Sequence, residues 1–132
     1  MKKTLKKIIL LILISSVYAL YDYEIILRTK IALAENPMEG DVESTKRGEI
    51  LFQDNCINCH GKTAMGSGVL AKNLSKPPSD LTKLDQPPGI TAMKIYFGSA
   101  PMPAWREHFN REQIWQLVSY IDSMQVVTET SE

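Results

Sequence analysis

The chain has 132 residues, room for one compact domain once any leading segment is set aside. Hydrophobic residues make up 44% and charged residues 23%, an ordinary globular balance that excludes both a disordered chain and a multi-span membrane protein. Fifteen basic and fifteen acidic side chains cancel overall, but from Glu35 onward nine basic residues face thirteen acidic ones, which argues against nucleic acid as a partner.

Lys2, Lys3, Lys6 and Lys7 stand ahead of an apolar run, and no charge appears from Ile8 through Tyr21. These fourteen residues fall short of the roughly 20 that a bilayer core takes. The charged start, the short apolar stretch and Val17-Tyr18-Ala19 read as a secretory signal over 1–19, cut after Ala19. Ala32-Leu33-Ala34 offers a later cut after Ala34. The competing reading is an uncleaved N-terminal membrane anchor, helped by Ile25, Ile26 and Leu27 but interrupted by Asp22, Glu24 and Arg28. Both readings export the domain to the periplasm and leave membrane contact to the N-terminal segment.

Residues 35–43 are polar and acidic, broken by Pro37 and Gly40, and are expected as a flexible lead-in to a domain over 44–126. Ser44 or Thr45 can cap a first helix from about Thr45 to Asn55, with Ile50, Leu51 and Phe52 as its apolar contacts. The glycines and prolines between Gly61 and Gly89 make a wrapping loop. Ile90, Met93, Tyr96 and Phe97 then recur at helical spacing, opened by Pro87-Pro88 and closed by Gly98. After a proline-interrupted loop, Asn110 with Gln113 has the form of a capping box. It opens the clearest helix, striped by Ile114, Leu117, Val118, Ile121 and Met124 or Gln125. Residues 127–132 are a polar tail, and no stretch alternates as a strand should, so the fold class is all-α.

Cys56-Ile57-Asn58-Cys59-His60 is a C-x-x-C-H sequence, the attachment signature of c-type haem. Two thiols three positions apart on a helical turn can reach the two vinyl groups of one haem edge, and the following imidazole can meet the iron from the same side. With two cysteines, His60 and only one further histidine, His108, a closed four-ligand zinc site is hard to assemble, and a thioredoxin-like dithiol would expect strands around it. The second axial ligand decides what such a haem does. Met65 lies only five residues from His60, while Met93 and Met124 suit apolar helix faces. Met102, between Pro101 and Pro103, sits where stiff backbone could hold a thioether toward the iron, and His108 reads as a surface or propionate-side histidine.

On these residues the sequence closely resembles class I cytochrome c, the small monohaem family with histidine and methionine ligands. The resemblance runs from about Lys46 to Met124 and is most specific at Cys56–Gly61 and at Met102-Pro103-Ala104-Trp105, with weaker support from Pro77–Thr82 and Ile114–Ile121. It implies a small domain of about three to four helices and long loops wrapped around one covalent haem c. Cys56 and Cys59 would be the thioether positions, and His60 and Met102 the iron ligands. It also implies that the first and last helices cross at Gly48, with Phe52 against Leu117 and Tyr120, and that a carbonyl near Pro77 or Pro78 accepts the second ring N–H of His60.

A six-coordinate haem leaves no open position for substrate, so the expected function is that of a single-electron carrier in a respiratory or other periplasmic chain, not an enzyme. Its partners would be redox proteins met by transient docking. Lys62, Lys72, Lys76, Lys83 and Lys94 could steer such encounters or form a plain solvated face. The sequence also admits two alternatives: a haem subunit tethered in a larger redox complex, and an enzyme or gas sensor in which Met102 is displaced.

Overall fold

The computed structural model describes residues 2–125, so the tail expected over 127–132 lies outside the described residues. Five α-helices follow one another: α1 (Lys2–Ala32), α2 (Val42–Asn55), α3 (Ile57–His60), α4 (Pro88–Phe97) and α5 (Arg111–Gln125). Two 3₁₀ turns, Ala71–Asn73 and Leu81–Lys83, punctuate the loop between α3 and α4. Among the described residues, β-type pairing is limited to the isolated bridge of Ser99 with Met102.

Helix α1 runs through Ala19 without a break, and Thr4–Ala32 is long and apolar enough to cross a membrane. At ~1.5 Å per residue such a stretch spans on the order of 43 Å. Its large apolar side chains from Leu5 to Ile26 stand exposed, while Ser15, Ser16 and Thr29 return their hydroxyls to carbonyls one turn back. The C-terminal end belongs to the domain's packing. The carbonyls of Ile31, Ala32 and Ala34 press on Gly89 of α4 so closely that no side chain would fit there. The Arg28 guanidinium lies 3.9 Å over the Phe97 ring. A cut after Ala34 would therefore strip backbone on which α4 rests.

Residues 35–43, expected as a flexible lead-in, form a packed strap instead. Asn36 is 6% exposed; its amide donates to the Ser119 hydroxyl at 3.0 Å, and its carbonyl oxygen accepts from the Met38 amide at 3.0 Å. The strap ends in Asp41, whose carboxylate caps α2 by accepting from the amides of Glu43 and Ser44. The helix thus begins three residues before the expected Thr45, whose hydroxyl donates to the Asp41 carbonyl at 3.0 Å.

Helices α2 and α5 cross at Gly48, which lies against the Gln116 carbonyl and 3.0 Å, measured from an added Cβ, from the Tyr120 Cβ. Phe52 meets Tyr120 with ring centroids 5.4 Å apart, and Leu117 and Val118 are fully buried beside them. The capping box forms as expected: Asn110 and Gln113 exchange amide-to-side-chain hydrogen bonds of 2.9 Å in each direction. Burial on α5 extends beyond the expected stripe to Trp115, Gln116 and Ser119; α2 meets Gln116 at Gly48, and the strap covers Ser119.

Helix α4 starts at the second proline of the pair and ends at Gly98, which takes φ +77. Its buried face is Thr91, Ala92, Ile95 and Phe97, whereas Ile90, Met93 and Tyr96 are only half-buried. The small and hydroxyl-bearing side chains, less conspicuous in a hydrophobic count, are the ones turned inward.

Candidate functional site

The site begins where α2 hands over to α3. The Cys56 amide donates to the Phe52 carbonyl at 2.8 Å and closes one helix; its carbonyl accepts from Cys59 at 3.2 Å and His60 at 2.9 Å and opens the next. Both thiols and the imidazole therefore share a single turn. The loop behind satisfies the carbonyls that so short a helix leaves open: Leu70, Gly68 and Gly66 donate their amides to Asn58, Cys59 and His60 at 2.8, 3.1 and 2.8 Å. Gly66, at φ +76, also lies under the Pro78 carbonyl with no room for a Cβ. Nothing in the sequence marks this glycine, since only the folded loop brings residues 66 and 78 together.

Cys56 and Cys59 are free and half-buried. Burial, with Cys59 alongside, pushes the Cys56 thiol up to about 12, whereas thiols poised for disulfide exchange are shifted downward. The His60 Nδ1 lies 3.3 Å from the carbonyl of Ser79, one residue beyond the Pro77 or Pro78 that the resemblance implies. The Pro78 carbonyl is turned against Gly66 instead. Donation from Nδ1 keeps the proton there and leaves Nε2 its lone pair. Burial lowers the His60 pKa, with the Ser79 carbonyl pulling the other way, so the ring is neutral at neutral pH, the form that binds a metal.

Met102 joins the same cleft from a separate segment of the chain. Ser99 and Met102 exchange amide-to-carbonyl bonds of 3.1 and 2.9 Å and fold the loop into a tight turn directly after Gly98. Trp105 and Arg106 donate their amides to the Ile95 and Tyr96 carbonyls, at 3.0 and 3.3 Å, and tie the far end of the loop to α4. Trp105 stacks on the buried Phe109 with centroids 5.1 Å apart. His108 is exposed, edge-on to Trp105, and away from the cleft. Met65 is 57% exposed and likewise takes no part in its walls.

Between these walls lies a cleft of about 190 Å³, lined by Cys56, Cys59, His60 and Met102 together with Phe52, Leu81, Ile95, Trp105, Leu117 and Ile121. Protein interiors hold few voids larger than a water, whose share of liquid volume is about 30 Å³, so a largely apolar cleft of this size among core side chains has room for a ligand. Two thiols and a neutral imidazole on one turn, a thioether from a separate segment and largely aromatic or aliphatic walls fit a flat apolar macrocycle with a central metal, as haem is. The model of the family described as cytochrome c oxidase, cbb3-type, subunit III matches residues 43–121, more than half of the chain.

The chain belongs to this family of c-type cytochromes.

A curated relative, the cbb3-type cytochrome c oxidase subunit CcoP of Azospirillum brasilense, is 23% identical over 105 residues, covering 70% of this chain. The chain spans about a third (32%) of that relative's length. Two solved structures share the fold. The reducing HAO-like protein complex of Kuenenia stuttgartiensis matches with a TM-score of 0.60 and 22% identity over 67% of this chain and 46% of that one. Cytochrome cL of Methylophaga aminisulfidivorans matches with a TM-score of 0.54 and 24% identity over 69% and 59%. The cytochrome c fold, haem c as the class of cofactor and single-electron transfer as the role follow from this membership.

Proposed function

We propose that this cytochrome is a membrane-anchored carrier of one haem c, facing the periplasm and passing electrons to and from redox partners that dock transiently. Cys56 and Cys59 would hold the haem through thioethers, His60 through Nε2 and Met102 through its sulfur. The observation that carries this reading is the convergence of those four side chains on one apolar cleft from two separate segments of the chain. When bound there, the haem supplies a reversible one-electron couple. The chain's own residues do the rest: Ser79 keeps the proton on His60 Nδ1, the Ser99–Met102 turn aims the thioether, and Phe52, Leu117 and Ile121 keep water from the buried side.

Anchoring is the alternative that the packing of α1 favours over a cleaved signal. The lysines at the start of the chain place that end in the cytoplasm by the excess of basic residues that cytoplasmic flanks carry. The domain then lies on the other side of the membrane. The similarity to CcoP supports membership of a larger respiratory complex as the setting for the same electron-transfer role.

The deciding experiment is absorption spectroscopy of the protein matured in a periplasm, oxidised and reduced, into the near infrared. A sulfur-to-iron charge-transfer band that disappears in Met102→Ala supports the closed, carrier site. A high-spin spectrum, or carbon monoxide binding without competition, would overturn it in favour of an open one. Membrane fractions washed with alkaline carbonate test the anchor: release of the wild-type haem protein would mean that α1 has been removed.

A further inference from the structure

One ring joins α1 to the segments on either side of Met102. Phe97 is the last residue of α4 and only 9% exposed. The Arg28 guanidinium carbon, near the C-terminal end of α1, lies 3.9 Å from its centroid, and that of Arg106, four residues beyond Met102, lies 5.9 Å from it. A guanidinium is attracted to the negative face of such a ring, the more so as water is withdrawn. Glu24 approaches the Nε of Arg28 to 3.8 Å, and Glu107 that of Arg106 to 3.5 Å. Both distances exceed the roughly 2.7–2.9 Å of a charge-assisted hydrogen bond, so neither carboxylate competes strongly with the ring.

What Phe97 steadies is the base of the methionine turn. Gly98 follows it directly, and the loop closes onto that glycine: an added Cβ would lie 2.7 Å from the Ala104 amide nitrogen and 2.9 Å from the Met102 carbonyl oxygen. Ser99 is then tied to Met102 in both directions, and the Arg106 amide returns to the Tyr96 carbonyl at 3.3 Å. Backbone rests on backbone throughout this path, and close-packed contacts of that kind transmit a displacement with little loss. A Phe97 ring free to shift would carry Gly98 and the turn with it.

We propose that Arg28, acting through Phe97, is a positioning residue for Met102: the end of α1 braces the turn that holds the thioether in the cleft and opposes its departure from the iron. This rests on the haem reading above and gives α1 a part in the redox site besides tethering. Neither Arg28 nor Phe97 lines the cleft, so the effect reaches the thioether through packing alone. Seating of α1 on the domain and ligation by Met102 are then linked, each favouring the other by the same factor.

The test is displacement of the thioether by added imidazole in the full-length, haem-loaded protein, followed as loss of the sulfur-to-iron charge-transfer band. Imidazole binds only where the thioether has left, so a looser turn raises its apparent affinity. Arg28→Gln should raise it about fivefold, the size of one partly desolvated cation–π contact. Phe97→Leu, which frees Arg106 as well, should raise it at least as much, and the double variant no further than Phe97→Leu alone. Arg28→Lys should restore most of the wild-type value. Two controls should stay near the wild type: Lys30→Gln removes a neighbouring exposed charge, and Asn36→Ala loosens the strap, which has no side chain in the cleft. A wild-type affinity in Arg28→Gln, gains that simply add in the double variant, or an equal gain in either control would overturn the proposal while leaving the carrier reading intact. Absence of the band from the wild type would instead remove the closed carrier site, and the proposal with it.

Discussion

Gly48 of α2 lies so close to the carbonyl of Gln116 on α5 that the crossing has no place for a single added carbon. The obstruction is backbone, which no change of rotamer can move aside. Gly48→Ala gains about 1 kcal/mol of helix preference, but overpacking outweighs it, and a net loss of about 1–3 kcal/mol is expected. The guanidinium midpoint of the holoprotein should fall, while Ile50→Ala, 61% exposed on the same helix, should leave it nearly unchanged. An equal or higher midpoint for Gly48→Ala would mean that the helices have room to part.

The strap offers a second measurement. Asn36→Ala removes the amide that joins residues 36 and 119 across 83 positions of chain. With a buried hydroxyl deprived of one partner, the loss should be about 1–3 kcal/mol in urea unfolding. Ser119 keeps bonds to the Trp115 and Met38 carbonyls, so the lower part of that range is expected.

Asp122 gives the strap a pH dependence. Burial raises the pKa of its carboxyl, the charge of Glu39 adds to this, and the Asn36 side chain opposes it. A raised folded value means that the unfolded chain gives up the proton first. The site's contribution to stability is therefore intact below about pH 4, the ordinary carboxylate value, and wanes as pH rises through the higher folded value. Asp122→Asn should match the wild type in acid and exceed it at neutral pH. Urea midpoints taken across this range check it, and parallel curves would rule it out.

Removing both attachment points, Cys56→Ala with Cys59→Ala, should yield a domain that is largely unfolded and quickly proteolysed. Phe52, Leu81, Ile95, Leu117 and Ile121 all face the cleft, so little of the core can close on itself. Far-ultraviolet circular dichroism of the full-length variant should show a clear loss of helix against the haem-loaded wild type; a helix content equal to the wild type's would contradict the expectation.

Much of the site is legible in the sequence because its information is local. The C-x-x-C-H turn, the proline-flanked Met102 and the Asn110–Gln113 box each lie within a few consecutive residues, where one turn of backbone decides the geometry. What escaped depends on chain meeting chain. Ser79 rather than a proline reaches His60, because Gly66 draws the Pro78 carbonyl aside. Residues 35–43 look like a solvated linker until Ser119 meets Asn36. The inward face of α4 is led by Thr91 and Ala92, which a count of large apolar residues ranks below Met93 and Tyr96. Lys94 reads as one more surface lysine until the fold turns it toward Gln86.

The contact of α1 with α4 governs how the domain can search. The helix has no hinge, its last carbonyls bear on Gly89, and Arg28 lies over Phe97, just ahead of the turn that carries Met102. Were the apolar length of α1 seated in a bilayer, as proposed, this contact would turn helix and domain together. The haem edge would then keep a constant bearing to the membrane plane, like a lamp fixed to its post, and encounters with partners would reduce to lateral diffusion and spin about a single axis.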